Sequence, residues 1–139
     1  MKTNEKRKMF LGYANEIKNL GYKVFVSKPT KISLDKNYGW IVNEKDEIGY
    51  FQYEPYCGVR FSTIHKPMNE YGSGFSCEND RWNYHTTFSK EIVDRCFARV
   101  PGWMFSRPSW EKKHLDKIRK WTATEYFEKY WDKANLIEL

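Results

Sequence analysis

The chain has 139 residues and a net charge of +6, and 40% of its residues are hydrophobic and 18% aromatic. This length predicts a single domain over residues 1–139, with a core that needs neither a metal ion nor a disulfide. No apolar run approaches the roughly 18 residues that span a bilayer, and no apolar segment of a secretory signal follows the basic N-terminus. The three cysteines lack CxxC spacing and indicate a reducing compartment, so we predict a cytoplasmic protein.

Positive charge is concentrated at the N-terminal end of the chain. Residues 1–36 contain nine lysine or arginine residues against three acids, whereas residues 37–80 contain three against seven. Such polarity suits an anionic partner that approaches from one side. A solvated, lysine-rich surface without a partner is the alternative interpretation.

The first predicted elements are a helix over Asn4–Leu20 and a short strand over Tyr22–Ser27. Thr3 or Asn4 can cap the helix, and Gly21 suits the left-handed residue that often follows a helix. The periodicity predicts one buried helix face, which consists of Met9, Phe10, Tyr13, Ala14, Ile17 and Leu20.

Three further strands are predicted, over Tyr38–Val42, Ile48–Tyr53 and Val59–Ile64. A five-residue polar loop separates the first two, which is typical of a hairpin. The third alternates between two faces and pairs back on its predecessor. Residues 65–85 contain no long regular element, although a short strand is predicted around Gly74–Cys77. A long irregular segment in a compact domain often carries function.

The C-terminal third is predicted to be helical. Ser89 can cap a helix over Lys90–Val100, and Pro108 introduces a second helix whose exposed side is basic. A capping-box pattern at Thr122–Glu125 begins a last helix that runs through Ala134. Together the elements predict an α+β fold: an antiparallel β-meander of about four strands, with the N-terminal helix packed on it and a C-terminal helical layer.

One strand end gathers the side chains that are best suited to chemistry. Arg60, Ser62, His65 and Lys66 lie within seven positions, and we predict them as binding residues. As an alternative, His65 can act as a general base on a phosphoester. The side chains converge only if the strand ends by Ile64, because strand residues alternate between two faces. No HExxH, DxD, GxSxG or P-loop pattern accompanies them, so the sequence assigns no reaction.

We predict no cofactor and no metal site. The cysteines lack the spacing of zinc fingers or ribbons, so idle or buried thiols are favoured. A zinc site formed by Cys57, Cys77 and either His65 or His85 is the alternative.

Nucleic-acid binding uses more of the chain than the other interpretations do. Bases can stack on Tyr50, Tyr53, Tyr56 or Phe61, and the sequence leaves open whether these rings face the core or a ligand. Phosphate contacts are predicted from lysines of the loop after the first strand and of the helix after Pro108, namely Lys28, Lys31, Lys112, Lys113 and Lys117.

The run IGYFQYE…VRFSTIHKPMNEYGSGF resembles a pattern in small uncharacterised proteins of tailed phages and prophages. In these a GYxQ strand precedes an STxHKP strand end and a GxGF turn, and the Trp-rich C-terminal helix and LIEL tail are similar as well. The resemblance covers residues 38–75 and the C-terminal third, and it implies a phage or mobile-element origin. In that setting small proteins often antagonise host defence, as anti-CRISPR inhibitors do, but no activity carries over to any residue here.

The sequence therefore predicts a non-catalytic, anti-CRISPR-like inhibitor or accessory protein that binds a nucleic-acid-handling protein or ribonucleoprotein in the host cytoplasm. RNA or DNA can contribute through the basic face, and no membrane is involved. Two alternatives stay open. One is sequestration of a small nucleotide signal in a pocket lined by Arg60, His65, Lys66 and tyrosines, and the other is a phosphoester-acting enzyme that uses His65.

Overall fold

The computed structural model describes residues 1–29, 37–65, 76–79, 84–97, 120–130 and 135–139. The described helices are α1 (Thr3–Asn19), α2 (Lys90–Asp94), which continues as a 3-10 turn over Arg95–Phe97, and α3 (Ala123–Tyr130). The described strands are β1 (Lys23–Ser27), β2 (Tyr38–Val42), β3 (Ile48–Glu54), β4 (Gly58–His65), β5 (Ser76–Asn79) and β6 (Leu136–Glu138).

The strands form one antiparallel sheet with the order β5–β4–β3–β2–β1–β6, so β1 to β4 are the predicted meander. Together with α1 on one face and α3 on the other, this confirms the predicted α+β class. β5 begins two residues later than the strand predicted at Gly74–Cys77. The sequence does not predict β6, because three residues show no periodicity and only the pairing with β1 defines them as a strand.

Helix α1 packs on the sheet through Phe10, Ala14 and Ile17, which are fully buried. The predicted caps Thr3 and Asn4 are wrong: Lys2 is the N-cap, and its backbone N–H donates to Glu5 Oε2 at 3.4 Å. The prediction that Met9 belongs to the buried face is wrong as well, because its side chain is 42% exposed. Adjacent helix residues are about 100° apart, so a stripe centred on Phe10 leaves its neighbour at the solvent edge.

Two glycines of the sheet, Gly39 and Gly49, let the Phe51 ring and the 3-10 turn lie close to the strand backbone. A Cβ atom on Gly39 would lie 2.2 Å from the carbonyl oxygen of Phe25 and 2.8 Å from the ring of Phe51, which covers it. A Cβ atom on Gly49 would lie 2.1 Å from Cys96 Sγ in the 3-10 turn. Both glycines are therefore required by packing, and their positions fix where Phe51 and the 3-10 turn rest.

Helix α2 is shorter than the predicted Lys90–Val100 helix, because the chain tightens into the 3-10 turn after Asp94. The predicted cap is confirmed: Ser89 Oγ accepts a hydrogen bond from the N–H of Ile92 at 3.3 Å. The tighter turn directs Cys96 onto the sheet. The parts of the predicted C-terminal helices at 98–100, 108–119 and 131–134 lie outside the described residues.

Helix α3 covers the second face of the sheet and is anchored by the turn between β2 and β3. Thr122 Oγ1 accepts from the N–H of Glu125 at 3.1 Å, as the predicted capping pattern requires. Asp46 adds a tertiary cap, because its carbonyl accepts from the N–H of Ala123 at 2.8 Å and its carboxylate accepts from the Thr124 hydroxyl at 2.8 Å. Next to it, burial disfavours the Glu47 carboxylate, but hydrogen bonds from Lys120 and Asn43 outweigh burial and lower the pKa of Glu47.

The two cysteines whose environment is described should react very differently. Cys57 is exposed, whereas Cys96 is fully buried, and that burial raises the pKa of the Cys96 thiol well above its ordinary value of 9.0. We expect iodoacetamide at pH 8 to alkylate Cys57 in the folded protein within minutes and Cys96 at least about a hundredfold more slowly, since the thiolate is the nucleophile. Peptide mass mapping measures both rates, and urea should abolish the difference. Equal rates in the native protein would contradict the burial of Cys96.

Candidate binding surfaces

The structure places four of the predicted binding residues and leaves five outside the described part. Arg60 and Ser62 lie within β4, and Lys28 is exposed after β1. The backbone of His65 ends β4 and pairs with Ser76 of β5. Lys31, Lys66, Lys112, Lys113 and Lys117 lie outside the described residues.

Strand β4 stays extended through His65, which bears on the predicted convergence of its side chains. Five residues at about 3.3 Å each separate the backbone of Arg60 from that of His65 by roughly 16 Å. The backbone therefore does not fold these two positions towards each other. The alternative of a phosphoester reaction at His65 gains no support from this geometry.

Arg60 is held on the sheet by two neutral oxygen atoms. Its Nη2 donates to Gln52 Oε1 at 2.9 Å, and its Nη1 donates to the hydroxyl oxygen of Tyr84 at 3.3 Å. The guanidinium carbon also lies 5.8 Å from the centre of the Tyr84 ring, in cation–π range. We call Gln52, Arg60 and Tyr84 the Arg60 site.

The charge of the Arg60 site is not neutralised within the described part of the chain. The contacts of Arg60 there are an amide and a phenol, and none is a carboxylate. Its Nε–H is buried and finds no acceptor among those residues. A buried donor without an acceptor costs about 1–3 kcal/mol. The guanidinium therefore carries a charge that the described residues leave uncompensated.

A row of aromatic rings adjoins the Arg60 site on the same face of the sheet. Ring centres of Tyr38 and Trp40 are 5.6 Å apart, those of Tyr38 and Tyr50 are 6.0 Å apart, and those of Trp40 and Tyr50 are 5.9 Å apart. All three side chains are half-buried. In the ladder Gln52 lies opposite both Tyr38 and Arg60, so the row and the guanidinium are immediate neighbours.

The structure decides which candidate stacking rings are available. Tyr53 and Phe61 belong to the core beneath α1 and α2, where each is 5% exposed. Tyr50 lies on the other face in the aromatic row. Tyr56 is 83% exposed at the turn between β3 and β4. Two of the four candidate rings are therefore structural, and two are accessible in part or in full.

The turn that carries Tyr56 holds it in a conformation that glycine normally adopts. The N–H of Cys57 donates to the carbonyl of Glu54 at 3.1 Å, and Tyr56 has φ 65°. A non-glycine residue in this left-handed region costs about 1–3 kcal/mol. The most exposed large apolar side chain of the described residues is therefore displayed at the expense of stability.

Two methionines extend the surface around Tyr56. The sulfur atoms of Met1 and Met9 lie 3.6 and 3.7 Å from the hydroxyl of Tyr53, and the Met1 nitrogen donates to the Tyr56 hydroxyl at 3.1 Å. Burial raises the pKa of the Tyr53 phenol. We call Met1, Met9, Tyr53 and Tyr56 the Tyr56 patch; it holds three of the four exposed large apolar side chains in the described part, and Ile137 is the fourth.

Two cavities of about 450 and 530 Å³ lie elsewhere and contain none of the predicted binding residues. The first is bounded by the end of α1, the turn between β2 and β3, and α2. There the Tyr22 hydroxyl donates to Asp94 at 2.6 Å, and burial together with this carboxylate raises the pKa of Tyr22. The second lies between α3 and the end of the sheet near Lys23.

The described residues place no three metal-binding side chains together. The side chains of His65 and Cys77, which the zinc alternative needs, lie outside that set, so the alternative stays untested. No helix of the described part has both the length and the apolar character of a membrane span.

The fold defines the class of this protein as an α+β sheet protein with helices on both faces of an antiparallel meander. A comparison with protein-family models, with curated proteins and with solved structures finds no match. The resemblance to small phage and prophage proteins therefore stays an expectation, and function has to be argued from the two surfaces.

Sequence reasoning names Arg60 but misses its partners. The predicted hairpin register could have placed Gln52 opposite Arg60, because the turn between their strands is short. Tyr84 carried no such signal, since an isolated bridge between Val59 and His85 brings it to β4. The sequence also names Tyr56 as a ring without showing that it is the exposed one.

Proposed function

We propose that this protein is a non-catalytic docking protein: a phage-type inhibitor or accessory protein that binds a nucleic-acid-handling protein or ribonucleoprotein in the host cytoplasm. The observation that carries the proposal is the Tyr56 patch. A tyrosine that is 83% exposed in a strained backbone conformation does not serve the core. Backbone strain of this kind clusters at binding and switch regions.

The composition of the Tyr56 patch fits a protein partner. Tyrosine and methionine are enriched in the centres of protein interfaces, because each buries a large apolar area and tolerates varied neighbours. Met9 and Tyr56 lie on different elements, α1 and the turn after β3, yet Tyr53 contacts both methionines and the Met1 nitrogen donates to Tyr56. The patch is thus a continuous surface built by the tertiary fold.

The charge around α1 favours a partner that handles nucleic acid. The exposed residues of the N-terminal segment include Lys2, Lys8 and Lys18. Phosphates on a ribonucleoprotein attract such a face, and this attraction weakens as salt rises. The motifs that resemble phage proteins support the same setting, in which a small protein antagonises host defence.

The replacement Tyr56→Gly tests the docking surface without weakening the fold. Glycine removes the displayed ring and relieves left-handed strain, and the relief offsets its backbone entropy cost of about 1 kcal/mol. We expect an unchanged or higher melting temperature. We also expect at least a tenfold loss of captured partner when tagged protein is recovered from phage-infected cells and the captured proteins are quantified by mass spectrometry.

Ile137→Ser is the matched control, because Ile137 is also exposed and apolar but lies on β6 at the far edge of the sheet. It should capture as much partner as the unmodified chain. Equal capture by all three forms would overturn the docking surface. Captured proteins that are unrelated to nucleic acid, in samples with and without nuclease treatment, would overturn the assigned partner class.

A further inference from the structure

We propose that the Arg60 site and the adjoining aromatic row form a nucleotide-binding site, in which Arg60 binds a phosphate and the row stacks on the base. This site lies on the sheet face opposite the one that packs against α1, so it is separate from the Tyr56 patch. The inference goes beyond the docking function and does not depend on it.

The phosphate half of the site rests on the state of Arg60. Its guanidinium is positioned by Gln52 and Tyr84, which fix its plane and leave its charge without a counter-ion in the described part of the chain. Its Nε–H is buried and lacks an acceptor there. A guanidinium presents parallel N–H groups that match two oxygen atoms of one phosphate. Each Nη nitrogen of Arg60 keeps one N–H that neither Gln52 nor Tyr84 uses, so a phosphate would bind there and neutralise the charge, while the buried Nε–H stays out of its reach.

The base half of the site rests on the rings beside Arg60. Tyr38, Trp40 and Tyr50 form a half-buried cluster. Trp40 Nε1 donates to the Tyr126 hydroxyl of α3 at 3.2 Å, and Trp40 and Tyr50 pack against the α3 cluster, so the base would stack on the part of the row that α3 leaves exposed. Stacking on such rings accommodates every base. Tyr50 is a diagonal neighbour of Arg60 in the β3–β4 ladder, in which Tyr50 pairs with Ser62. Diagonal neighbours are about 7–8 Å apart, a span comparable with that between the base and the phosphate of one nucleotide.

Gln52 connects the two halves. Its Oε1 accepts from Arg60, so its amide nitrogen points away from the guanidinium. That nitrogen carries two N–H groups and makes no hydrogen bond within the described residues, so it can donate to an acceptor on a base or a ribose. A phosphate, a ring and a hydrogen-bond acceptor occur together in a nucleotide.

The first test uses isothermal titration calorimetry with AMP, adenosine and inorganic phosphate as separate probes. We expect AMP to bind at least tenfold more tightly than either fragment, because only AMP engages both halves. Binding of phosphate alone, with AMP no tighter, would overturn the base half. No heat with AMP at millimolar concentration would overturn the whole site.

Variants of Arg60 separate recognition from structure. Arg60→Gln should lower AMP affinity at least tenfold, and Arg60→Lys should lower it by a smaller factor, because lysine keeps the charge but lacks the fork. Arg95→Gln is the matched control at an exposed arginine and should bind AMP normally. If Arg60→Gln unfolds, the AMP affinities of Arg60→Lys and the unmodified chain are compared instead. Unchanged AMP affinity in a folded Arg60 variant shows that Arg60 only stacks on Tyr84, and it overturns the proposal.

A last comparison distinguishes the source of the nucleotide. A free signal nucleotide predicts that AMP or cyclic di-AMP binds as tightly as a ten-residue adenosine RNA, whereas a nucleic-acid strand predicts that the RNA binds at least tenfold more tightly and loses affinity with salt. Either result supports recognition of a phosphate and a base at this site, provided that Arg60→Gln weakens the binding of the tighter ligand. Tyr56→Gly should lose docking and retain AMP binding, so either proposal can fail without the other. Loss of AMP binding in folded Tyr56→Gly would show that the two surfaces are not separate.

Discussion

Replacement of Phe51 by alanine is expected to lower the free energy of unfolding by about 3–5 kcal/mol. Phe51 is fully buried at the centre of the sheet, where its ring stacks on Phe10 of α1 with centres 5.6 Å apart. It also lies directly opposite Gly39, which has no side chain that could fill the space. The cavity left by the ring would therefore extend to Gly39 on β2, and neighbouring side chains could fill this cavity only in part.

Chemical denaturation followed by circular dichroism measures this loss. Tyr56→Ala is the control within the same hairpin, because it removes an aromatic ring of similar size from an exposed position. The control should change the free energy of unfolding by no more than about 0.5 kcal/mol, as surface changes usually do. A loss below about 1 kcal/mol for Phe51→Ala would mean that Phe51 does not fill the centre of the core.

Replacement of Gly49 by alanine is expected to destabilise the protein by about 1–3 kcal/mol through overpacking. The added methyl group would lie 2.1 Å from Cys96 Sγ and 2.6 Å from Cys96 Cβ, so the 3-10 turn would have to move off the sheet. Alanine is a better strand residue than glycine, and intrinsic preference alone would therefore predict the opposite sign. The sign of the change thus tests the contact itself.

A second replacement at Cys96 isolates this contact. In the Gly49→Ala background, Cys96→Gly removes both clashing atoms and should recover stability relative to the sum of the single changes, whereas Cys96→Ser keeps the clash and should not. Gly12→Ala is the matched control, since Gly12 is exposed in α1 with nothing within 4 Å of an added Cβ. It should stabilise the protein by about 0.5–1 kcal/mol. Additive effects of Gly49→Ala and Cys96→Gly would contradict the contact.

The Tyr56 patch and the Arg60 site lie on opposite faces of the sheet. The Tyr56 patch is formed by α1 and by the end of β3 with the turn that follows it. The Arg60 site is formed by Gln52 of β3, Arg60 of β4 and Tyr84. If both proposals hold, the patch would contact protein and Arg60 would contact a nucleotide of the bound strand. The variants Tyr56→Gly and Arg60→Gln test the two surfaces one at a time.

The sequence by itself determined the elements whose signal is local. Apolar periodicity was sufficient for α1, and alternation was sufficient for β1 to β4, because these patterns arise from residues close in the chain. The caps at Ser89 and Thr122 were predictable for the same reason, since a cap and its acceptor are three residues apart.

The tertiary structure decided the features that depend on distant partners. β6 exists only through its pairing with β1, and the 3-10 turn rests where Gly49 leaves room for Cys96. Which rings are exposed could not be read from composition, because Tyr53 and Tyr56 differ only in where the hairpin places them. The sequence named Arg60, but only the fold showed two neutral partners and no carboxylate around it in the described part of the chain. The net charge around a residue and its burial depend on groups from distant segments, which a pattern of neighbouring residues in the sequence does not specify.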